Sequence, residues 1–366
     1  MNKPDGASYA KAGVSLEKAD SFLGALLTWV RKTEELPGLK ARSLIPNGYY
    51  ATVLDVGLKE CIAFSTDGVG SKILVAEAAR DYSGIGIDCI AMNVNDILCV
   101  GARPVSMVDY LAIQDPPNEV GLELGKSLYE GCRIAGISIP GGELAQLPEM
   151  IRGVRPNEGI DLAGAAIGLV NREEISDGQG LLPGDVLIGI ESNGLHSNGF
   201  TLARKVLLER ARLRVDQHIA ELGCTLGKEM LRPTHIYVPE LGHLRAKGLR
   251  PKAMLHITGG GLLNLLRVSS DNIAFVIDTP PMIAPIFQLI QKLGEVSDAE
   301  MHRVFNMGVG MVLVLAPDKT DATLRALAEV PGPNAFPLGH LAESQGRVVR
   351  IPGRRLASKD TQFIQG

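Results

Sequence analysis

The stretch from Gly84 to Gly101 constrains this chain more than any other. It is very apolar, long enough for a helix, and stops at Gly101 with Pro104 just beyond to prevent its continuation. A strand should follow, and Val105 to Ile113 is apolar except for Asp109. Within the helix, Asp88, Met92, Asn95 and Asp96 fall at i, i+4, i+7 and i+8, so two carboxylates and an amide share one face. An unpaired buried charge costs several kcal/mol even after relaxation. That face therefore needs partners, yet Arg103 is the only cation between Arg80 and Lys126.

Just upstream stands Ser65-Thr66-Asp67-Gly68-Val69-Gly70-Ser71-Lys72. A strand-like run, Cys61 to Thr66, ends at Asp67. Gly68 and Gly70 can then take positive φ and let the backbone approach a phosphate, with Lys72 supplying charge. The spacing excludes a Walker loop, and Ile73 stands where a Rossmann loop needs its third glycine. Pro140-Gly141-Gly142-Glu143 ends another apolar run with an acid. Carboxylates beside a glycine-lysine loop suit Mg²⁺ and a nucleotide triphosphate. Helix caps and Lys/Arg pairs are the plainer alternative for these acids.

The second half offers two further loops. Thr258-Gly259-Gly260-Gly261 runs into a helix-like Leu262 to Arg267, so its amides form either an anion site or a flexible glycine turn. In Asn193-Gly194-Leu195-His196-Ser197-Asn198-Gly199, Ser197 and Asn198 can cap a helix starting near Phe200 or bind a ligand. His196 and His256 adjoin these loops, where contacts to substrate and proton transfer are both open to an imidazole.

At 366 residues the chain exceeds a usual single-core size, and 45% hydrophobic residues can build substantial cores, as a two-domain protein needs. Strand-like runs at 61–66, 105–113 and 162–170 alternate with helices from Ser21, capping a stripe of Phe22, Leu23, Leu26, Leu27 and Val30, and from Val120 to Ala135. Both helices read as core elements. The polar Asn171-Arg172-Glu173-Glu174 marks a boundary between domains 1–170 and 171–351. The second set holds strands at 184–190 and 309–316 and helices near 200–211 and 284–293. Residues 352–366, with Arg354, Arg355 and Lys359, read as a solvated basic tail. No run approaches a membrane span and Met1 to Gly6 lacks a signal pattern, so a cytoplasmic protein without membrane contact is expected. Cys61, Cys89, Cys99, Cys132 and Cys224 are scattered, which favours reduced thiols over disulfides or zinc. A formal charge of −4 gives no sign of a nucleic-acid partner.

The order and spacing of these motifs closely resemble the phosphoribosylformylglycinamidine cyclo-ligase (aminoimidazole ribonucleotide synthetase) family. The resemblance starts at Ser8-Tyr9-Ala10-Lys11-Ala12-Gly13-Val14. It continues through Ser65 to Pro104, Gly141-Gly142-Glu143, His196-Ser197-Asn198-Gly199, Pro233-Thr234-His235-Ile236-Tyr237, His256-Ile257-Thr258-Gly259-Gly260-Gly261 and Phe305-Asn306-Met307-Gly308-Val309-Gly310-Met311. It covers roughly residues 8 to 350. Asp96 to Pro104 matches a pattern shared by a wider ATP-using superfamily; the later loops are more specific.

The resemblance implies two α/β domains with mixed sheets, a homodimer whose N-terminal sheets form a barrel, and ATP-dependent closure of formylglycinamidine ribonucleotide to aminoimidazole ribonucleotide. It implies Lys11, Lys72, His196 and His256 as catalytic candidates. Asp67, Gly68, Gly70, Lys72, Asp88, Asn95 and Asp109 would serve the nucleotide, and Asp67, Asp96, Asp109 and Glu143 would supply Mg²⁺ ligands. Ser197, Asn198 and Thr258 to Gly261 would hold the ribose 5′-phosphate. The chain departs from the family in Glu143-Leu144-Ala145-Gln146-Leu147-Pro148-Glu149, where an acid becomes Gln146. It departs again in Ile45-Pro46-Asn47-Gly48-Tyr49-Tyr50-Ala51, which replaces a glycine-rich loop. Thiamine-monophosphate kinase is the enzyme alternative, and a non-catalytic nucleotide-binding protein is the other. Selenophosphate synthetase would need a reactive cysteine in an N-terminal loop, but Cys61 is the first here. The hydrogenase-maturation relative would end in a cysteine, where this chain has Phe363-Ile364-Gln365-Gly366.

Overall fold

The computed structural model describes residues 6–14, 16–36, 38, 41–45 and 48–365. Pro46 and Asn47 of the early loop and the first five residues lie outside this set. The first sheet is built from β1 (Arg42–Ser43), β2 (Thr52–Asp55), β3 (Glu60–Gly68), β4 (Arg103–Ile113), β5 (Gly142–Gln146) and β6 (Ile160–Asn171), in the order β1-β2-β3-β6-β4-β5. Only β4 and β5 pair in parallel, which requires a crossover. Its preceding helices are α1 (Leu16–Val30), α2 (Ile73–Ala79) and α3 (Ile85–Cys99); α4 (Asn118–Ala135) is the crossover itself. Alternation along β6 buries Leu162, Ala166 and Val170 beneath α3 and leaves Ala163, Ala165 and Ile167 on the outer face. That outer face also exposes Phe64, Val108 and Tyr110.

The second sheet takes β7 (Val186–Glu191), β10 (Ala253–His256), β11 (Ile273–Ile277), β12 (Val309–Leu315), β13 (Ala335–Glu343), β14 (Val348–Ile351), β15 (Leu356–Lys359) and β16 (Gln362–Gln365). A separate hairpin joins β8 (His218–Ile219) to β9 (Cys224–Thr225). The eight strands run β10-β12-β7-β13-β11-β14-β15-β16, mixed because β11 and β14 are parallel. β10, β11 and β12 are buried along their whole length, as their unbroken apolar runs require. The helices are α5 (Phe200–Arg204), α6 (Leu226–Met230), α7 (Val238–Ala246), α8 (Pro285–Gly294), α9 (Asp298–Val304) and α10 (Thr320–Ala328). α5 continues as a π-helical segment, Lys205–Arg210, covering the expected 200–211 helix.

Two expectations are corrected. α1 begins at Leu16, so Ser21 lies inside it and caps nothing; Phe22, Leu23, Leu26 and Val30 are exposed instead of forming core. Residues 352–366 are no solvated tail: β15 and β16 extend the sheet edge and bury Leu356 and Phe363. The two apolar cores each draw residues from both sides of Asn171–Glu174. One packs the first sheet and α3 against α5, α8 and α9; the other draws Tyr50, Leu98 and Cys99 into the second domain. No helix among the described residues is long and apolar enough to cross a membrane.

Candidate active site

The polar face of α3 forms the seam between the domains, and each of its residues meets a different piece of the second domain. Asp88 Oδ1 accepts from the backbone N and the hydroxyl of Thr234, both at 2.7 Å, and from Lys72 Nζ at 2.9 Å. One turn later Met92 Sδ faces Asn198 Nδ2 at 3.9 Å. Asn95 donates to the His235 carbonyl (2.8 Å) and accepts from Tyr237 N (3.0 Å). Asp96 Oδ1 lies 2.9 Å from His256 Nδ1, while His256 Nε2 sits 3.5 Å from the Asn95 amide. The helical spacing is thus satisfied by an interdomain ladder, and the ladder draws the 193–199, 233–237 and 256–261 segments together.

This arrangement relocates several expected ligands. Lys72 is wholly buried, held by Asp88 and by the Arg232 carbonyl at 2.6 Å. Burial pushes its ammonium pKa down, against the opposing field of Asp88. Lys72 therefore neutralises Asp88 and does not reach into the cleft as a phosphate-binding or catalytic cation. Asp88 and Asn95 are likewise buried and occupied by the seam. Lys11 sits in the turn 8–13 against the α5 segment: its Nζ donates to the Gly6 carbonyl (2.8 Å) and its own carbonyl accepts from Lys205 Nζ (3.3 Å).

The carboxylates of the first sheet separate by face. Asp67 pairs with Gly164, and Gly164 pairs with Asp109, which in turn pairs with Gly142. Asp67 and Asp109 therefore share the helix-facing side, two strand spacings or about 10 Å apart, with bare glycine between them. A Cβ at Gly164 would lie 2.1 Å from Met107 Cε. Glu143 pairs with Tyr110 instead, which puts it on the outer face and away from the other three acids. Its place in a common metal set is corrected accordingly; among the described residues no three His, Cys, Asp or Glu side chains are gathered closely enough to hold a metal.

Asp67 is anchored by Asn93, whose Oδ1 accepts from Asp67 N at 3.0 Å. Burial first, then the negative charge of Asp96, raises the Asp67 pKa, while His256 and Arg267 oppose the rise. Burial also raises Asp109. After Asp67 the loop departs from expectation in one respect: Gly68 ends β3, and only Gly70 takes positive φ, at 67°.

Across the cleft, Thr258 N donates to Asn264 Oδ1 (2.8 Å), and the glycines lead into a seven-residue 3₁₀ helix, Gly261–Arg267. Gly261 has φ of +55°, and a Cβ there would lie 2.1 Å from the His302 carbonyl oxygen. A Cβ at Gly259 would meet Asn198 Oδ1 at 3.2 Å, so the two predicted substrate loops touch. Ser197 Oγ and Thr234 Oγ1 are 3.1 Å apart. His196 is buried, accepts from Asn193 N through Nε2 (2.9 Å), and is driven well below the ordinary histidine pKa by burial. It shapes the loop as a neutral ring, and its Nδ1 has no hydrogen-bond partner.

Sequence reasoning missed Thr234, Asn264 and Arg267. Thr234 and Asn264 stand inside or beside the quoted loops but carry no local pattern of their own. Arg267 is the basic end of the glycine-led helix; its guanidinium lies 5.0 Å over the Tyr50 ring, and its charge reaches Asp67. An open groove of about 870 Å³ between Leu98, Leu241 and Met254 holds none of the expected site residues.

Two family models match the chain: AIR synthase related protein, N-terminal domain, over residues 48–170, and AIR synthase related protein, C-terminal domain, over residues 183–352. The phosphoribosylformylglycinamidine cyclo-ligase of Pyrococcus furiosus is 43% identical over 346 residues, covering 94% of this chain and 98% of that one. That of Methanothermobacter thermautotrophicus is 42% identical over 342 residues, covering 93% and 96%. The chain belongs to the phosphoribosylformylglycinamidine cyclo-ligase family.

Solved structures share the fold at lower identity. AaThiL complexed with AMPPCP and TMP superposes with TM-score 0.61 at 15% identity, covering 95% of this chain and 98% of that one. Escherichia coli HypE gives 0.58 at 19%, covering 90% and 93%. Against the cyclo-ligase pattern, the altered β5 segment is explained locally. Gln146 Nε2 lies 3.3 Å from both the Gln114 carbonyl and Asp115 Oδ1, where a carboxylate would face repulsion. The altered early loop packs a partly buried Tyr49 edge to face on a buried Tyr50, and Tyr50 donates to the Asn264 carbonyl at 2.9 Å, closing the domain junction.

Proposed function

We propose that this protein closes formylglycinamidine ribonucleotide to aminoimidazole ribonucleotide at the expense of ATP, releasing ADP and phosphate in purine biosynthesis. Identity above 40% across both domains of named cyclo-ligases carries this reading. The likeness to thiamine-monophosphate kinase is one of fold alone. In this reaction the γ-phosphoryl group moves to the formyl oxygen, breaking its bond to ADP and forming an oxygen–phosphorus bond. The amidine nitrogen adds to the same carbon, loses a proton to solvent, and phosphate leaves with the oxygen. The work asked of the protein is to align two reactants and offset phosphate charge.

Asp67 and Asp96 are the carboxylates we assign to Mg²⁺. The fit rests on two observations: burial and then the negative charge of Asp96 raise the Asp67 pKa, so a cation there would relieve Asp67, and the protein offers a pair of acids rather than a closed cage. Mg²⁺ characteristically takes one or two carboxylates and completes its shell with phosphate and water. When bound it would offset phosphate charge. Arg267 adds cationic field from the second domain. We assign the ribose 5′-phosphate to the Thr258–Gly261 backbone with Ser197 and Asn198, and give His256 the task of holding Asp96.

The exposed apolar outer face of the first sheet supports burial against a second copy, the dimer barrel that the resemblance implies. Five free cysteines support a reducing, cytosolic setting. A coupled assay for ADP release with formylglycinamidine ribonucleotide tests the central claim. One ADP per aminoimidazole formed is expected, dependent on Mg²⁺. ADP release with thiamine monophosphate instead, or nucleotide binding without turnover, would replace this reading with one of its competitors.

A further inference from the structure

The family match ends at residue 352, and nothing in it accounts for the hairpin that follows. That hairpin is anchored. Ser358 Oγ accepts from Val349 N at 2.9 Å, and β16 pairs with β15 through Ser358 and Phe363. Phe363, 5% exposed, turns inward onto α9 and stands edge-on to the His302 imidazole, ring centroids 6.4 Å apart. The His302 ring is tied back to the Asp298 carbonyl at 2.8 Å, and Arg354 approaches Asp298 at 3.6 Å.

The opposite side of the same helical turn carries the candidate substrate site. The carbonyl oxygens of His302 and Phe305 lie 2.1 and 2.7 Å from where a Gly261 Cβ would stand, so the glycine loop rests directly on the end of α9. Next in sequence, Asn306 donates to the Gly194 carbonyl at 3.0 Å and accepts from Ser192 Oγ at 2.9 Å, tying the start of the 193–199 loop to the same point. α9 is only seven residues long. So short a helix draws its position from packing.

We propose that the C-terminal hairpin, through Phe363, is a positioning brace for the substrate-phosphate loops: it presses α9 into the place where the glycine loop and Asn306 are seated. This rests on the assignment of those loops to the ribonucleotide. Phe363 touches no reacting group, so its removal acts on ribonucleotide binding and not on the nucleotide.

The test is steady-state kinetics of the full chain with Phe363→Ala, with Phe363→Val as a milder truncation and Phe363→Leu as the conservative control. In Phe363→Ala the KM for the ribonucleotide should rise roughly tenfold, with kcat and the KM for ATP within about twofold. Val should fall between, and Leu should stay close to wild type. Unchanged kinetics, or kcat and both KM values altered together, overturn the brace. If Phe363→Ala does not fold, the Val and Leu pair decides by the same split. Amide hydrogen exchange separates this failure from failure of the proposed reaction. Even if the wild type does not turn over the ribonucleotide, faster exchange confined to 193–199 and 258–264 in the variants supports the brace. Exchange that is unaltered, or raised across the whole second sheet, overturns it.

Discussion

Lys72 and Asp88 show how a charged pair can look functional in sequence and prove architectural. Both are fully buried, at 2.8–2.9 Å, with the Thr234 N–H and hydroxyl both donating to Asp88 Oδ1. Removing one partner strands a charge, so Lys72→Met should lose about 3–5 kcal/mol. Urea denaturation reads this, and Lys72→Met/Asp88→Leu should lose less than the sum of the single changes. Asp67 and Asp96 behave differently because each keeps some solvent access beside the cleft. Asp67→Asn and Asp96→Asn should each fold normally and demand more Mg²⁺ for ATP turnover, since the amide keeps shape and loses charge. Wild-type Mg²⁺ titration curves would remove either residue from the metal site. The buried histidines report on pH. His196 and His302 both have pKa values lowered by burial, so below the ordinary histidine value the unfolded chain binds protons that the folded chain refuses. Stability is therefore intact above about pH 6.5 and is lost as pH falls toward each folded value, by up to about 1.4 kcal/mol per pH unit per histidine. Urea midpoints from about pH 8 to about pH 5 should fall less steeply in His302→Gln than in wild type.

At the scale of elements, α3 and the glycine loop set the geometry of the cleft. α3 presents its apolar sides to the first sheet and α4 while its polar edge bonds three segments of the other domain, so loop positions on one domain are set by a helix of the other. The glycine loop is set by close approach. Gly260, at φ +119°, occupies backbone space that an L side chain rarely enters, and a Cβ would meet Asn264 Nδ2 at 3.2 Å. Gly260→Val should raise the KM for the ribonucleotide much more than that for ATP. A larger change in the ATP value, on a folded variant, would exchange the two phosphate assignments.

For the molecule as a whole, the exposed face of the first sheet is the outstanding surface. Phe64, Val108 and Tyr110 stand exposed together on β3 and β4, with Ala163, Ala165 and Ile167 of β6 between those strands, and among the described residues they are left open to water, an apolar patch of the kind that marks an interface. Tyr110→Lys should shift the protein toward monomer in sedimentation velocity, with loss of activity if the barrel supports the cleft. A wild-type chain already monomeric at micromolar concentration would dismiss the dimer. The interleaved cores add a second expectation at this scale: because α3 is shared, the two domains should unfold in one transition.

Local pattern was enough for some of this. The apolar helix stopped by Gly101, the strands at 105–113 and 162–170, and the order of glycine and histidine loops were legible because they depend on periodicity, on turn chemistry and on motif spacing, all short in range. The same information placed Asp88, Asn95 and Asp96 on one face correctly. It could not say what that face meets, since Thr234, His235 and His256 lie more than a hundred residues away and arrive only through packing. Nor could it separate Glu143 from Asp109, because which side of a sheet a residue takes depends on the register between strands. The tail read as solvated because its arginines dominate composition, whereas its fate was decided by Leu356 and Phe363 finding an open sheet edge and the flank of α9. Sequence by itself determined the elements and the inventory of chemical groups; tertiary structure decided which charges cancel, which remain at the cleft, and which loops share a support, because those outcomes depend on distances between residues remote along the chain.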